Sequence, residues 1–396
     1  MTIVPQSAYS AYSAYSAYSA YSAYSAYSAY SAYGAPGAGE NPMLADAFMT
    51  TRDGIVGARL DQIGSVRESV ANDPRTLKRL SPAVRAAIFQ AELAASIDVS
   101  IETCDGDVSP VLWHRSAKKG DMRRIKYHEL LRMTRPSVER LTRQLDLVSG
   151  YAQIRPDRAA EILTQVTAPA PFFSTIGFID PGRTPHTLEF LSTALSFSAP
   201  LIQRIKFALA VKRPIEFSPQ IQPMIPTPTH GSLPSGHASE AFLMARLIWR
   251  LMLHSNAPQY GDKAYWGEML MRLAARVAAN RVVSGVHFPV DSAAGAVLGC
   301  TLAEHVYSQC NGGRWWSSRF DGTHFDPEGD FDWHDIFDVR KDELKKKAES
   351  GDGVWMRAKA HAPSKGEPAP VLSWLWEKAL EEWQDLGPGD LPVQGE

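Results

Sequence analysis

The sequence predicts an all-α protein, a helical bundle behind a low-complexity N-terminal tail. Three observations carry that expectation. From about Asn41 to Gln309 apolar residues recur at intervals of three and four, the helical period. Strand-like alternation is scarce over the same stretch. Prolines and Ser-Pro pairs stand where helices would enter or break. With 396 residues, 44% of them apolar, the chain can bury one large core or two modest ones.

In chain order, residues 7–33 are nine copies of Ser-Ala-Tyr. A period of three fits neither a helix stripe nor a strand, so composition predicts a disordered tail. Tyrosine-mediated self-association is the alternative use. "GAPGAGENP" closes the tail as a flexible linker, which sets a first segment at 1–41. "SPAVRAAIFQAELAASIDV" enters a helix at Ser81–Pro82. "KYHELLRMTRPSVERLTRQLDLV" reads as helix, broken or restarted at Pro136, and "TPHTLEFLSTALSFSAPLIQRIKFALAVKRP" as a helix pair interrupted at Pro200. "SEAFLMARLIWRLMLH" and "YWGEMLMRLAARVAANRVV" complete a helical catalytic domain over 42–312. The stretch "FDGTHFDPEGDFDWHDIFDVRKDE" is acidic and aromatic without a calcium-loop pattern, and reads as a solvated surface segment. In "SWLWEKALEEWQDL", Trp376, Leu380 and Trp383 share a helix face, so 313–396 is expected to be an extension packed on the bundle.

A formal net charge of −2 gives no bulk attraction to nucleic acid. Cys104, Cys300 and Cys310 are too few and too scattered for a disulfide framework or structural zinc, which fits a reducing compartment. The start "MTIVPQSAYSAYS" lacks a secretion signal, and no run of 18 apolar residues appears. A cytoplasmic chain without membrane insertion is the expectation. Homo-oligomerisation stays open.

Three short stretches bear the chemistry. "KFALAVKRP" holds Lys206 and Arg213, seven residues or two helical turns apart, hence expected on one face. "GSLPSGHASEAF" holds Ser235, Gly236 and His237 at a helix entry. "NRVVSGVHFPVD" holds Arg281, His287 and Asp291. Two guanidinium forks and an ammonium suit a tetrahedral oxyanion. Ser235 offers a hydroxyl, Gly236 lets a backbone N–H approach, and a helix starting there aims its dipole at the anion. His287 is the candidate nucleophile or metal ligand, with Asp291 fixing its tautomer, and His237 the proton carrier. Taken alone, Ser235 would be an N-cap and Lys206 and Arg213 a solvated face; the joint pattern argues otherwise.

That pattern, K-x6-RP, PSGH and [SN]R-x5-H-x3-D, resembles the superfamily of vanadium-dependent haloperoxidases and type 2 phosphatidic acid phosphatases. Asn280 stands where serine usually precedes the third-motif arginine. The resemblance covers about residues 185–305. It implies a helical bundle with one pocket that holds vanadate in the peroxidases and phosphate esters in the phosphatases. The missing membrane spans and signal peptide favour the soluble haloperoxidase branch. His230, five residues before Ser235, looks like the pocket histidine of bromoperoxidases. Gln203, one turn before Lys206, is expected on the pocket wall and departs from the tryptophan or arginine common there. The resemblance thus implies a vanadate cofactor ligated by His287, with Lys206, Arg213, Ser235, Gly236 and Arg281 on its oxygens. Hydrogen peroxide, bromide or iodide, and a small organic acceptor would be the partners. The alternative is a phosphomonoesterase working through a phosphohistidine at His287. A non-enzymatic assembly protein, built around the tyrosine-rich tail, is a third reading that the complete residue set disfavours.

Overall fold

The computed structural model describes residues 42–55, 68–104, 107–118, 121–167, 169–313, 315–345, 355–361 and 368–384. The Ser-Ala-Tyr tail lies outside them. The chain falls into two units, residues 1–89 and 90–396. The first holds α1 (Pro42–Ile55), a 3-10 turn (Pro74–Arg79) and the start of α2 (Pro82–Ala95). Asp73 caps that turn by accepting from the Arg75 N–H at 2.9 Å. The Ser-Pro entry at residue 81 is where the sequence sets it.

The second unit overturns the all-α expectation. Strands β1 (Ile97–Cys104), β2 (Asp107–Lys118) and β3 (Asp121–Thr134) precede the helices, and β4 (Trp315–Asp321) follows them. With β7 (Trp355–His361) they form one mixed sheet in the order β1-β2-β3-β4-β7, in which only β3 and β4 run parallel. A two-stranded sheet pairs β5 (Phe337–Asp338) with β6 (Glu343–Leu344). The physical reason is visible in β3. Leu130, Leu131 and Met133 are all fully buried, so both faces of the strand's end are covered. A strand buried on both sides loses its alternation and imitates a helical stripe. Pro136 therefore separates a strand from a helix, not two helices.

The helices are α3 (Val138–Tyr151), α4 (Arg155–Thr164), α5 (Ala170–Gly177), α6 (Pro185–Leu209), the single turn α7 (Pro214–Phe217), α8 (Gly236–His254), α9 (Lys263–Val283), α10 (Pro289–Asn311) and α11 (Pro370–Glu381). Almost every residue of α10 is buried, as its all-round small and apolar composition requires of a central helix. Gly295 and Gly299 let it press on α8. A Cβ on Gly299 would stand 2.3 Å from the Ser239 carbonyl oxygen, and one on Gly295 2.8 Å from that of Ser235. This contact sets the first turn of α10 against the first turn of α8. Helix α6 runs unbroken through Pro200 rather than as a pair. Burial on its neighbours outweighs the one backbone hydrogen bond that proline removes. By length and composition the stretch Pro185–Phe217 could cross a membrane, with a mean hydropathy of 1.2 and half of its apolar window buried in the protein.

The segment after α10 is woven into the core. Its acidic residues cap turns: Asp321, Asp332 and Asp338 each accept a backbone N–H two residues ahead. Its aromatics Phe325, Trp333 and Phe337 are buried. Asp342 and Glu304 of α10 together hold Arg246 and Arg250 of α8. On α11, Trp376 is buried as the stripe predicts, along with Trp374 and Leu375, and Trp383, two residues past the helix, is buried as well.

Candidate active site

Helix ends build the site. Ala210 adopts a left-handed conformation (φ 49°) and closes α6 just after Lys206. Arg213 then sits at the entrance of α7, where Pro214 starts a new turn. The two cations are therefore neighbours through a chain reversal, not through two turns of one helix. Both are buried. Lys206 Nζ donates to the carbonyls of Gly231 and Ser232, each at 2.9 Å. Gly231 permits this, since a Cβ there would meet the Lys206 carbonyl oxygen at 3.1 Å. Burial, then the nearby Arg213, depresses the Lys206 ammonium well below its usual range.

Arg213 donates from all three guanidinium nitrogens, with Nε on the His230 carbonyl at 3.1 Å. Nη1 donates to the Val286 carbonyl at 2.7 Å and to His287 Nε2 at 2.9 Å, and Nη2 donates to His230 Nδ1 at 3.0 Å. A guanidinium only donates, so both imidazole nitrogens are acceptors. The 3.2 Å approach of His230 Nδ1 to the Gly231 carbonyl is then not a hydrogen bond. His287 must carry its proton on Nδ1, which lies 2.9 Å from Asp291 Oδ2. Burial, Arg213 and Lys206 push its pKa far down, so His287 is neutral with its lone pair on Nε2. His230 is lowered to about 4, by burial first and then by Lys206 and Arg213.

Asp291 lies in the first turn of α10. Its Oδ2 collects the His287 Nδ1–H, the Phe288 backbone N–H at 2.9 Å and the Ser232 hydroxyl at 2.5 Å. Burial pushes its carboxyl up against the pull of those donors. Ser235 caps α8, accepting from the Ala238 N–H at 3.4 Å, while its own N–H donates to the Asp291 carbonyl at 2.9 Å. The space beside Gly236 is open, with nothing within 4 Å of where a Cβ would be.

Arg281, in the last turn of α9, is buried and lowered to about 10 by that burial. Nη2 donates to the Ile162 carbonyl at 3.2 Å and weakly to Gln165 Oε1 at 3.4 Å. Nε and Nη1 have no partner among the described residues. His237 Nε2 donates to the Gln165 carbonyl at 3.0 Å, and burial plus Arg281 lower it to about 3. Lys206, Arg213, His230, Ser235, Gly236, His237, Arg281, His287 and Asp291 therefore form one cluster. Gln203 does not join it. It is exposed on α6, where the stripe that buries Ile202, Ile205 and Lys206 leaves Gln203 and Arg204 on the solvent side.

Three participants escaped the sequence reading. Ser232 braces Asp291. Gln165 bridges Arg281 and His237. Glu240 stands one turn after His237 on α8, and burial raises it to about 7 against the pull of Lys206. A carboxyl raised from 4.5 in this way contributes stability below pH 4.5 that is lost as pH rises through 7. The loss is of the order of 3 kcal/mol. Glu240→Gln should therefore melt higher than the parent at pH 8, with the gap closing by pH 5. Parallel melting curves across that range would refute the assignment.

Residues 149–315 match the model of the PAP2 superfamily. No curated protein matches the chain. Among solved structures, the chain is similar to the first transmembrane PAP2 type phosphatidylglycerolphosphate phosphatase from Bacillus subtilis. The identity is 20% over 40% of this chain and 72% of that one, with a TM-score of 0.26. Every residue of the buried cluster lies inside the stretch that matches the PAP2 superfamily model.

Proposed function

We propose that the chain is a phosphomonoesterase that works through a phosphohistidine at His287. One observation carries this reading: His287 is buried and neutral, with Nδ1–H on Asp291 and its Nε2 lone pair facing Arg213 inside a cluster of three cations. That is a nucleophile aimed where an oxyanion's charge would be met. The superfamily match supports phosphatase-type chemistry. The peroxidase branch expected from sequence has no such support beyond the shared cluster.

In this reading Arg213, Arg281, Lys206 and the N–H groups at Gly236 hold the phosphoryl oxygens. Nε2 attacks phosphorus as Arg213 shifts from the imidazole to the phosphoryl group. The P–O ester bond breaks, and His237 gives a proton to the departing alcohol. Water, deprotonated by His237, then cleaves the P–N bond and releases phosphate. His237 is neutral without an anion. A bound dianion offsets Arg281 and raises its affinity for the proton it must donate. His237→Ala should therefore slow hydrolysis of an alkyl phosphate by about 10²-fold or more. In a single-turnover measurement of alcohol release, which the later attack of water does not limit, an aryl phosphate, whose leaving group needs no proton, should be slowed far less. Equal losses on both would remove His237 from the acid role.

The test of the reading is hydrolysis of phosphate monoesters without vanadate, with acid-labile phosphate trapped on His287 and located by mass spectrometry. No turnover and no trapped phosphate would sink it. The same donors and the same Nε2 also fit vanadate, which when bound supplies Lewis-acid activation of peroxide. Peroxide-dependent oxidation of bromide with added vanadate, in a protein inert to phosphate esters, would return the peroxidase reading. His230 would then be the pocket residue to vary.

A further inference from the structure

We propose that Gln165, locked by Asn280, is an additional anion-binding residue, donating its side-chain amide N–H to the phosphoryl group alongside Arg281. The proposal deepens the phosphoesterase reading and rests on it.

Gln165 follows α4 and is completely buried. Its backbone carbonyl holds His237. Its Oε1 accepts from Asn280 Nδ2 at 2.9 Å and from Arg281 Nη2 at 3.4 Å. Two donors on one oxygen fix the amide's orientation, because the flipped amide would set N–H groups against N–H groups. Asn280 cannot turn away either. Its Nδ2 also donates to Glu161 Oε2 at 3.1 Å, and its Oδ1 accepts from Arg158 Nη1 at 3.3 Å. A serine at position 280 has neither the reach nor the atoms to hold all three. The departure from the family's third motif therefore goes together with Gln165.

The locked amide leaves Gln165 Nε2 without a partner among the described residues, beside the unpartnered Nε and Nη1 of Arg281. Buried donors are normally satisfied, and each left open is costly. Three on two touching side chains, with no acceptor for them among the described residues, are the complement of an oxyanion. Glutamine rather than glutamate suits this place. A carboxylate would offer Arg281 the same acceptor but would cancel its charge and repel the anion.

Titration calorimetry of inorganic phosphate into the full chain at pH 8 tests this, with Arg281→Ala as the control that should lose binding. Gln165→Met removes both acceptor and donor, and should weaken phosphate roughly ten-fold. Gln165→Glu keeps the acceptor for Asn280 and Arg281, yet should weaken phosphate about a hundred-fold or more. Circular dichroism verifies that both near-isosteric variants fold. Gln165→Glu binding phosphate like the parent would mean that Gln165 only positions Arg281, and would overturn the proposal. So would wild-type affinity in Gln165→Met. A parent protein that binds neither phosphate nor vanadate would overturn the phosphoesterase reading first, and this one with it.

Discussion

His287→Ala is expected to lower the turnover of phosphate monoesters by about 10⁴- to 10⁶-fold, the range seen when a nucleophile is removed from a preorganised site. The change takes away the neutral imidazole whose Nδ1–H is held by a carboxylate while its Nε2 lone pair faces the cations. Arg213 would still meet the Val286 carbonyl and His230, and Lys206 would still hold its two carbonyls. The anion cradle should therefore survive without its nucleophile. Inorganic phosphate should bind His287→Ala within about ten-fold of the parent, while no phosphate is trapped on the protein. Turnover within a hundred-fold of the parent would show that another group attacks.

Asp291→Asn should cost about 10²- to 10⁴-fold in kcat with little change in KM. The asparagine oxygen can replace Oδ2 as acceptor for Ser232, Phe288 and His287, so the fold of the turn is kept. The negative charge is lost. As Nε2 bonds to phosphorus, the ring gains positive charge, which a carboxylate at Nδ1 offsets and an amide does not. The loss should appear in a single-turnover measurement of phosphohistidine formation. A defect seen in KM alone would assign Asp291 to substrate binding instead.

The site was legible in the sequence where chemistry is written in short stretches. Serine, glycine and histidine at a helix entry, and histidine four before aspartate, have few other uses together. Ser232 was not legible, since a lone serine in a Pro/Thr-rich loop has no signature until Asp291 is seen beside it. Gln165 lies far upstream and is chemically ordinary; only its neighbours make it distinctive. Asn280 did give a signal, as a departure from the motif, but its partner could not be named from sequence. Lys206 and Arg213 meet as expected for the wrong reason, because Ala210 turns the chain before the second helical turn is complete. The sheet was missed for a related cause. Alternation is a signature of a strand with one wet face, and β3 has none at its buried end. The 97–104 strand does alternate, Ile97, Val99 and Ile101 against Asp98, Ser100 and Glu102, but only briefly.

The four charges of Arg246, Arg250, Glu304 and Asp342 bear on what counts as the minimal enzyme. The family resemblance ends at residue 315, and a protein engineer would be tempted to cut there. Asp342 would leave with the cut. Breaking a buried ion pair costs about 3–5 kcal/mol, against a total stability of about 5–15 kcal/mol for a whole domain. Two arginines of α8 would be left sharing the single carboxylate of Glu304 on α10. The helix that begins at Gly236 is anchored from behind by a residue about a hundred positions downstream, so the matched stretch is not the smallest piece that can stand alone.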